Sequence, residues 1–368
     1  MHASAIAPPL TAVPLIAAAL LAAALVGACA APTNSFGFED VEVDATTLPS
    51  RIAFGSCADQ DRPQPALERV VERDPDLFVY LGDNVYGDTE DMDVLRGKYE
   101  TLAARPEFQS LRAHCPTLAI WDDHDYGAND AGKEYPQKEA SREVFLDFWG
   151  VPMDSPRREH AGIYHDHVFE SGGRTLQVIL LDTRTFRDAL VRNGDAPVPP
   201  HKNDYRPNLD PTATILGEAQ WAWLGERLAV PADLRIVATS IQFGHSYNGW
   251  ESWTNVPHER DRLIDLVAET RANGVVFVSG DVHWGEISRQ PVEGGYDLWD
   301  VTASGINQDW DVIEPNVSRF GPAVAEHNFG MIEIDWFRED PSVELLSVDV
   351  TGAVRNRVPL AVSDLRFP

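Results

Sequence analysis

The sequence contains few basic residues and few cysteines, and each shortage excludes a class of protein. Lysine and arginine total 30 among 368 residues against 58 aspartate and glutamate residues, so the formal net charge is -28. A charge of that sign repels nucleic acid and anionic bilayers, and we expect neither to be held by bulk electrostatics. Most of the acidic excess fits a surface that keeps a protein soluble rather than bulk cation binding. The hydrophobic content of 43% is ample for a core.

The cysteines do not favour a disulfide. Cys57 follows an apolar segment at 51–55 that is typical of a buried strand, whereas Cys115 precedes a similar segment at 117–121. In a parallel sheet these positions lie at opposite ends, about 15 Å or more apart, which is beyond disulfide reach. We therefore expect two free thiols, with Cys115 in the core and Cys57 at the end of the sheet that carries a site.

Long hydrophobic runs are also missing, apart from one near the N-terminus. Leu15 to Val26 is almost entirely Ala, Leu, Ile and Val, too short to span a bilayer and typical of a signal peptide. It ends in Val26-Gly27-Ala28-Cys29, which resembles a bacterial lipobox and implies cleavage before Cys29 and lipid attachment to its thiol. Residues 1–14 depart from the signal pattern because they contain no Lys or Arg.

These features predict the organisation of the chain. We expect a signal peptide at 1–28, a lipid-attached linker at 29–40 and one folded domain at 41–368. The protein would be exported and held on the periplasmic or extracellular side of a bacterial membrane by its lipid anchor alone. The sequence leaves the oligomeric state open.

The order of helices and strands indicates the fold class. Apolar strands alternate with amphipathic helices from 51 to 283, which favours a largely parallel sheet with crossover helices. Shorter strands after 283 are spaced like antiparallel hairpins, so we predict a mixed α/β (α+β) fold with two sheets flanked by helices. The predicted helices are 64–73, 91–113 with a new start at Pro106, 138–149, 217–229 and 257–271. Residues 39–49 are predicted as an edge strand, and 187–214 as a long loop that could cover a site.

Polar side chains follow five of the apolar strands. The clusters are Cys57; Asp83 with Asn84 and Tyr86; Asp123 with His124 and Asp125; His245; and Asp281 with His283. Any one of them has a structural explanation, because Asp after a strand is often a turn residue. Ligand sites of open α/β sheets lie outside the carboxyl ends of the strands, so five clusters at such ends predict a single site.

The residue types in these clusters are metal ligands. Thiolate, phenolate, carboxylate and imidazole suit a Lewis-acidic transition metal, and anionic sulfur and oxygen favour a high charge such as that of ferric iron. The carboxylates of Asp123 and Asp281 suit Ca²⁺, Mg²⁺ or Mn²⁺ better than Zn²⁺. One carboxylate can bridge two ions about 3.5–4 Å apart, and Asp83 is the natural candidate for that position.

Several of these segments resemble a known family. Gly82-Asp83-x-x-Tyr86, Asp122-Asp123-His124-Asp125 and Gly280-Asp281-Val282-His283 are similar to the calcineurin-like metallophosphatase superfamily, and its alkaline phosphatase D (PhoD-like) branch is the closer match. Similarity to that branch extends to Phe54-Gly55-Ser56-Cys57, Leu181-Asp182-Thr183-Arg184, the 216–224 helix, Ser279 to Trp284 and Asn328-Phe329-Gly330. The resemblance therefore runs from about residue 51 to 336.

The resemblance implies a four-layer αββα sandwich with a cluster of two or more metals at the carboxyl ends of the central strands. The implied ferric iron ligands are Cys57, Asp83, Tyr86 and His283, and the implied calcium ligands are Asp83, Asp123 and Asp281. His124 would approach the substrate phosphate without binding metal, and Asp125 would orient it. His245 falls near a further histidine ligand of the superfamily, although Gln242 or Asn248 could serve instead.

The chain departs from the common superfamily pattern at three ligand positions. Cys57 replaces the usual Asp-x-His, Asp123 replaces an asparagine, and Asp281 replaces a histidine. Each change introduces an anionic ligand, which supports Fe³⁺ with Ca²⁺ over two zinc ions and leaves Mn²⁺ or Zn²⁺ as alternatives.

The resulting functional hypothesis is metal-dependent hydrolysis of phosphomonoesters or phosphodiesters, with a metal-bound hydroxide attacking phosphorus in line. His124 would stabilise charge on the phosphate or protonate the leaving alkoxide. Local cations must offset the acidic field around a phosphate, and the candidates are Lys133, Lys138, Arg142 and Arg184. Taken alone, each of these is more often an exposed cation of a helix or loop. Trp250, Trp253, Trp284 and Trp310 either line the cleft or fill the core.

Three alternatives remain open from the sequence. The substrate could be a diester such as a phospholipid headgroup or cell-wall teichoic acid. The protein could instead be a non-catalytic calcium-binding surface lipoprotein, although Cys57, Tyr86 and His124 have no purpose there. A third possibility is a hydrolase that uses a carboxylate pair, such as a glycosidase with Asp122 or Asp125.

Overall fold

A computed structural model describes residues 1, 2, 36, 41–194 and 203–368. The chain divides into two compact units, Met1–Ala31 and Pro32–Pro368, and every element named below belongs to the second. The predicted signal peptide, the linker and Cys29 lie outside the described residues, apart from Met1, His2 and Phe36. Within the part of the chain that is described, no helix has the length and apolar character needed to cross a membrane.

The folded unit alternates strands and helices along most of its length. The strands are β1 (Arg51–Gly55), β2 (Leu77–Leu81), β3 (Thr117–Ile120), β4 (His165–Ser171), β5 (Arg174–Leu180), β6 (Val191–Arg192), β7 (Tyr205–Arg206), β8 (Leu234–Ala238), β9 (Val275–Ser279), β10 (Gly285–Gln290), β11 (Leu298–Ala303), β12 (Asn328–Asp335), β13 (Ser342–Asp349) and β14 (Val354–Ala361). The helices are α1 (Pro65–Glu72), α2 (Met92–Ala103), α3 (Pro106–His114), α4 (Asp123–Tyr126), α5 (Lys138–Phe148), α6 (Gly217–Leu228) and α7 (Pro257–Glu269).

Two large sheets form the centre of the unit. Their strand orders are β14-β13-β12-β1-β2-β3 and β10-β11-β9-β8-β5-β4. In the first sheet β1, β2 and β3 are parallel and the remaining strands antiparallel. In the second, β11, β9, β8 and β5 are parallel, with antiparallel strands at both edges. The prediction of two mixed sheets is therefore confirmed.

The sheets pack against each other through β10 and β11 on one side and β12 and β13 on the other. Helices α1, α2 and α3 connect parallel strands of the first sheet, and α6 and α7 connect parallel strands of the second. Strands covered on both faces have continuous apolar sequences: every residue of β2, β8 and β9 is buried. This arrangement agrees with the expected αββα sandwich.

Local sequence signals explain where several helices start. Pro65, Pro106 and Pro257 each occupy the first helical turn of α1, α3 and α7. Proline is favoured there because its fixed φ suits a helix and the amide it lacks would have no intrahelical partner. The predicted new helix at Pro106 is thus confirmed.

Two elements differ from the sequence expectations. Residues 41–49, predicted with 39 and 40 as an edge strand, form turns in which the Asp44 carboxylate accepts hydrogen bonds from Thr46 and Thr47. Strand β14 was not predicted, because it is a half-exposed edge strand whose apolar pattern is weak and is interrupted by Pro359. Proline is tolerated in an edge strand because an amide on its outer side would face solvent and would not bond to a neighbouring strand.

The carboxyl ends of the central strands meet at one edge of the sandwich. Backbone hydrogen bonds tie the ends together: Ser56 N donates to Ala303 O at 3.0 Å, and Gly280 N donates to Ser240 O at 2.9 Å. The opposite ends carry Cys115, so Cys57 and Cys115 are separate, buried and free, as the sequence predicted.

Gly82, directly after β2, provides a test of how tightly this edge is packed. Its φ is +98°, and a Cβ built on it would lie 2.5 Å from Asp122 Cβ. We expect Gly82→Ala to lower the free energy of unfolding by about 2–4 kcal/mol, because overpacking adds to left-handed strain. Gly172 is the matched control: its φ is +59°, yet no heavy atom lies within 4 Å of a built Cβ. Gly172→Ala should cost only about 1 kcal/mol in urea denaturation, and equal losses would contradict this account.

Candidate metal centre

The residues that follow β2, β3 and β9 line one cavity with a volume of about 290 Å³. Cys57, which follows β1, does not line this cavity, but its sulfur lies within ligand distance of Asp83 and His283. Its acidic lining residues are Asp83, Asp123, Asp130, Asp204, Glu251 and Asp281. His124 and His283 also line it. The structure therefore brings four of the five predicted strand-end clusters together.

The backbone at these strand ends is held in an unusual conformation. Cys57, Asp83, Asp281 and His283 have φ values of 61°, 52°, 76° and 63°. Residues other than glycine seldom adopt this left-handed region, which costs roughly 1–3 kcal/mol each and clusters at functional sites. No sequence signal marks these tight turns.

Asp83 connects the group of possible ligands that contains Cys57 to the carboxylate groups, in three of which Asp123 takes part. Ligand atoms within 4.8 Å of one another form the groups Cys57, Asp83, His283; Asp83, Asp123, His124; Asp122, Asp123, Asp281; and Asp123, Asp130, Glu251. Asp83 Oδ2 lies 3.5 Å from Cys57 Sγ, and Asp83 Oδ1 lies 3.4 Å from the backbone nitrogen of His124. Its two oxygens thus face two different halves of the site, as a bridging ligand requires.

The first half of the site combines sulfur, nitrogen and phenol oxygen. Cys57 Sγ lies 3.1 Å from Ser304 Oγ and 3.7 Å from the carbonyl oxygen of Asp281. Tyr86 Oη is 3.4 Å from His283 Nε2. This donor set fits a transition metal. Ser304 lies directly beyond β11 without a recognisable motif, so the sequence does not predict its place in the site.

The second half of the site is dominated by carboxylates. Asp122 Oδ2 and Asp123 Oδ1 are buried without a hydrogen-bond partner among the described residues, so both suit a hard cation. Asp130 and Glu251 extend this half. Neither residue is predicted from the sequence, because neither follows an apolar strand.

Electrostatics make the centre depend on cations. Burial and the charge of Asp123 raise the pKa of Asp83 well above its usual range, and burial and the charge of Asp122 do the same to the pKa of Asp281. Burial also raises the pKa of the Cys57 thiol to about 12. Protons therefore compete with cations for these groups, and a bound cation would displace the protons.

His124 is oriented by Asp88 rather than by Asp125, which corrects the expected role of Asp125. His124 Nδ1 lies 2.8 and 2.9 Å from the two carboxylate oxygens of Asp88. Burial alone would lower the pKa of His124, but the charges of Asp123 and Asp83 outweigh it and raise the pKa to about 11. Cations bound among these carboxylates would offset that attraction.

Asp125 has a structural role in the turns behind the site. Its carboxylate accepts hydrogen bonds from the backbone nitrogens of Asp83, Asn84 and Asp122 at 3.3, 3.2 and 2.6 Å. The side chain is fully buried, so it cannot reach a substrate. Asp125 therefore positions the segment that carries Asp83.

His245 does not join any of the ligand groups. Its Nδ1 accepts a hydrogen bond from the backbone nitrogen of Tyr247 at 3.0 Å. The two alternatives are engaged with one another, since Asn248 Nδ2 donates to Gln242 Oε1 at 3.0 Å. The expectation of a ligand at His245 is therefore not supported by its position.

The cations expected to bind substrate phosphate also lie elsewhere. Arg142 donates to the carbonyl oxygens of Gly162 and Arg157, and Lys133 is paired with Asp188. Lys138 donates to the Lys133 carbonyl. None of these lines the cavity, so the structure argues against direct phosphate binding by them.

Arg184 is a structural cation beneath the cavity. It is fully buried and forms ion pairs with Asp122 and Glu251. A buried arginine paired in this way fixes its carboxylate partners. Arg184 therefore holds the acidic half of the site in place from behind, and it does not line the cavity.

The mixed sheets and their acidic centre define an α/β protein built around a metal site. The chain matches the model of the PhoD-like phosphatase family over residues 52–355. It belongs to that family, which confirms the resemblance found in the sequence.

The individual proteins that resemble this chain share 26% or less of its sequence. The chain is 26% identical over 272 residues to alkaline phosphatase D of Bacillus subtilis (strain 168), a match that covers 63% of this chain and 45% of the relative. The chain therefore spans less than half the length of that curated relative. The chain also resembles a solved structure of PhoD, with 18% sequence identity and a TM-score of 0.67. The match covers 87% of this chain and 70% of the PhoD chain. GAP50, the anchor in the inner membrane complex of Plasmodium, gives a TM-score of 0.56 at 13% identity, over 86% of this chain and 89% of its own.

The two buried free cysteines allow a matched test of metal binding. We expect Cys57→Ala to lower the content of transition metal in purified protein, because it removes the only thiolate among the described ligand groups. Cys115→Ala removes a thiol of similar burial at the other end of the sheet and should leave the metal content unchanged. Elemental analysis of both variants after loading with iron and calcium provides the measurement. Equal metal contents in the two variants would contradict the assignment.

Proposed function

We propose that this protein hydrolyses phosphoesters with metal ions held around Asp83. The observation that carries the proposal is the placement of the two Asp83 oxygens toward different ligand groups, with His124 beside them. Cys57, Asp83, Tyr86 and His283 would hold ferric iron, and Asp83, Asp123 and Asp281 would hold calcium, with Mn²⁺ or Zn²⁺ as alternatives. When bound, the cations supply Lewis acidity that withdraws electron density from a phosphate and acidifies water.

The protein's own groups supply orientation and proton transfer. His124 lies at the cavity lining, and the Asp88 carboxylate at Nδ1 leaves Nε2 as its free nitrogen for a substrate. In the protonated state this ring would donate a hydrogen bond to a phosphate oxygen or a proton to the departing alkoxide. Ring contact with Tyr86, at 4.3 Å between centroids, limits the movement of His124.

The rival hypotheses receive less support. A carboxylate-pair mechanism needs two exposed acids, yet Asp122 and Asp125 are both fully buried. A calcium-binding protein without turnover would not need the Cys57 thiol. It would also not need His124, which is hydrogen-bonded to Asp88 and lies beside Asp83 and Asp123. Membership of a phosphatase family adds to the case for hydrolysis.

Metal removal combined with Asp83→Asn tests the proposal. We expect protein stripped with a chelator to lose hydrolysis of p-nitrophenyl and bis-p-nitrophenyl phosphate and to regain it with iron and calcium. Asp83→Asn should lower kcat by more than the roughly 10- to 100-fold typical of residues behind the ligands. Asp300→Asn is the control, since Asp300 is a buried carboxylate of the second sheet that accepts three hydrogen bonds outside the cavity. Full activity in stripped protein, or in Asp83→Asn, would refute the proposal.

A second pair of variants separates the roles of the two acids near His124. Asp88→Asn should lower kcat about 10- to 100-fold with metal content retained, because the ring loses its charged partner. Asp125→Asn should instead lower the free energy of unfolding by at least about 1–3 kcal/mol, because three backbone amides lose part of their acceptor. Steady-state kinetics and thermal denaturation of both variants provide the comparison. An unchanged rate in Asp88→Asn together with a selective rate loss in Asp125→Asn would restore the role first expected for Asp125.

A further inference from the structure

The mouth of the cavity is formed by a tryptophan corner, defined here as Trp250 and Trp310. Their ring centroids are 6.4 Å apart with an interplanar angle of 72°, so the two rings meet almost at a right angle. Both line the cavity, and Trp310 is 45% exposed. An exposed indole at a cavity mouth has a free π face, and a buried core residue does not.

The tryptophan corner lies next to the candidate metal ligands. The Trp310 ring is 6.5 Å from the His283 ring, and Trp310 N donates to the His283 carbonyl at 3.1 Å. A phosphate held at the metal centre would therefore direct one of its ester substituents toward the corner. The corner is thus placed to select the substituent and not the phosphate itself.

The charge at the cavity mouth favours a positive substituent. No Lys or Arg is found among the described residues that line the cavity. Of the acids outside the predicted ligand set, Glu251 is neutralised by Arg184 and Arg187, and Asp130 accepts a hydrogen bond from Tyr205. Asp204, whose side chain is 54% exposed and forms an ion pair with Arg192 at 3.7 Å, lines the same cavity as the two tryptophans.

We propose that the substrate is a phosphodiester with a quaternary ammonium group of the choline type on one alcohol. Trp is the best aromatic partner of such a cation, which is attracted to the π face without needing a hydrogen bond. Asp204 lines the same cavity, and its charge is shared with Arg192, so the preference for a cation is expected to depend on the two indoles. This inference rests on the proposed function and narrows its substrate class. Water would add across one P–O ester bond, giving a phosphomonoester and an alcohol, and the departing alkoxide would take up the proton.

A pair of isosteric substrates tests the inference. In p-nitrophenyl phosphocholine the trimethylammonium group is charged, and in p-nitrophenyl 3,3-dimethylbutyl phosphate a tert-butyl group of the same shape is neutral. Both release p-nitrophenol from the same kind of diester, so their ratio of kcat/KM isolates the positive charge. We expect the metal-loaded wild-type protein to prefer the choline ester by about 10-fold.

Variants assign the preference to the tryptophan corner. Trp310→Ala and Trp250→Ala should bring the ratio close to 1, and Trp310→Phe should retain part of it because a weaker π face remains. Phe337→Ala is the control, because Phe337 is fully exposed and lies outside the cavity. Its ratio should equal that of the wild type. Bulk attraction of a positive group by the acidic protein is the same in every variant, so it cannot imitate this result.

A binding measurement provides a readout that does not need turnover. Titration with choline should quench the tryptophan fluorescence of the full chain saturably, whether metal is bound or removed, whereas neutral 3,3-dimethylbutanol should not. The quenching should be lost in Trp310→Ala.

The outcomes distinguish this inference from the proposed function. Equal kcat/KM for the two esters, or a preference that survives both alanine variants, would overturn the choline assignment while phosphoester hydrolysis stands. Failure to hydrolyse any of these diesters would instead remove the proposed function.

Discussion

Repulsion among buried carboxylates is the constraint on which the rest of this site depends. Asp83 and Asp123 are almost fully buried, and Asp281 shares a group of possible ligands with Asp123 and Asp122. Like charges in such a low-dielectric position cannot all remain ionised without cations. The charges of His124 and Arg184 lower the pKa of Asp123 despite its burial, so protons and cations compete mainly for Asp83 and Asp281. The raised pKa values of Asp83 and Asp281 express this competition. The fold thus assembles a site that is electrostatically incomplete without cations.

The surrounding structure holds this unfavourable arrangement in place. Left-handed turns at Cys57, Asp83 and Asp281 require support, because each costs free energy that regular strand ends avoid. Asp125 provides part of it by accepting hydrogen bonds from three backbone amides. Arg184 provides another part from below through its buried ion pairs. These residues act on the chemistry only by fixing the position of the ligands.

The sequence predicted the features that follow from repeated local patterns. Buried strands are continuous apolar runs, and polar residues at their carboxyl ends must meet at one edge, so Cys57, Asp83, Asp123 and Asp281 could be grouped without a structure. The pairing of His124 with Asp88 depends on the path of a loop. Hydrophobic periodicity predicts helices and strands but not the conformation of a loop. The same reason explains why Asp130 and Glu251 were missed. It also explains why Arg142 and Lys133, free cations in the sequence, proved to be engaged elsewhere in the fold.

The claim at the centre of this account is that one carboxylate, Asp83, joins two cations. Anomalous diffraction from crystals of protein loaded with iron and calcium, recorded on both sides of the iron absorption edge, tests it most directly. The account predicts two ions about 3.5–4 Å apart, with iron on the side of Cys57 and one oxygen of Asp83 bound to each. A single ion would contradict this claim, and so would two ions of which only one is bound by Asp83.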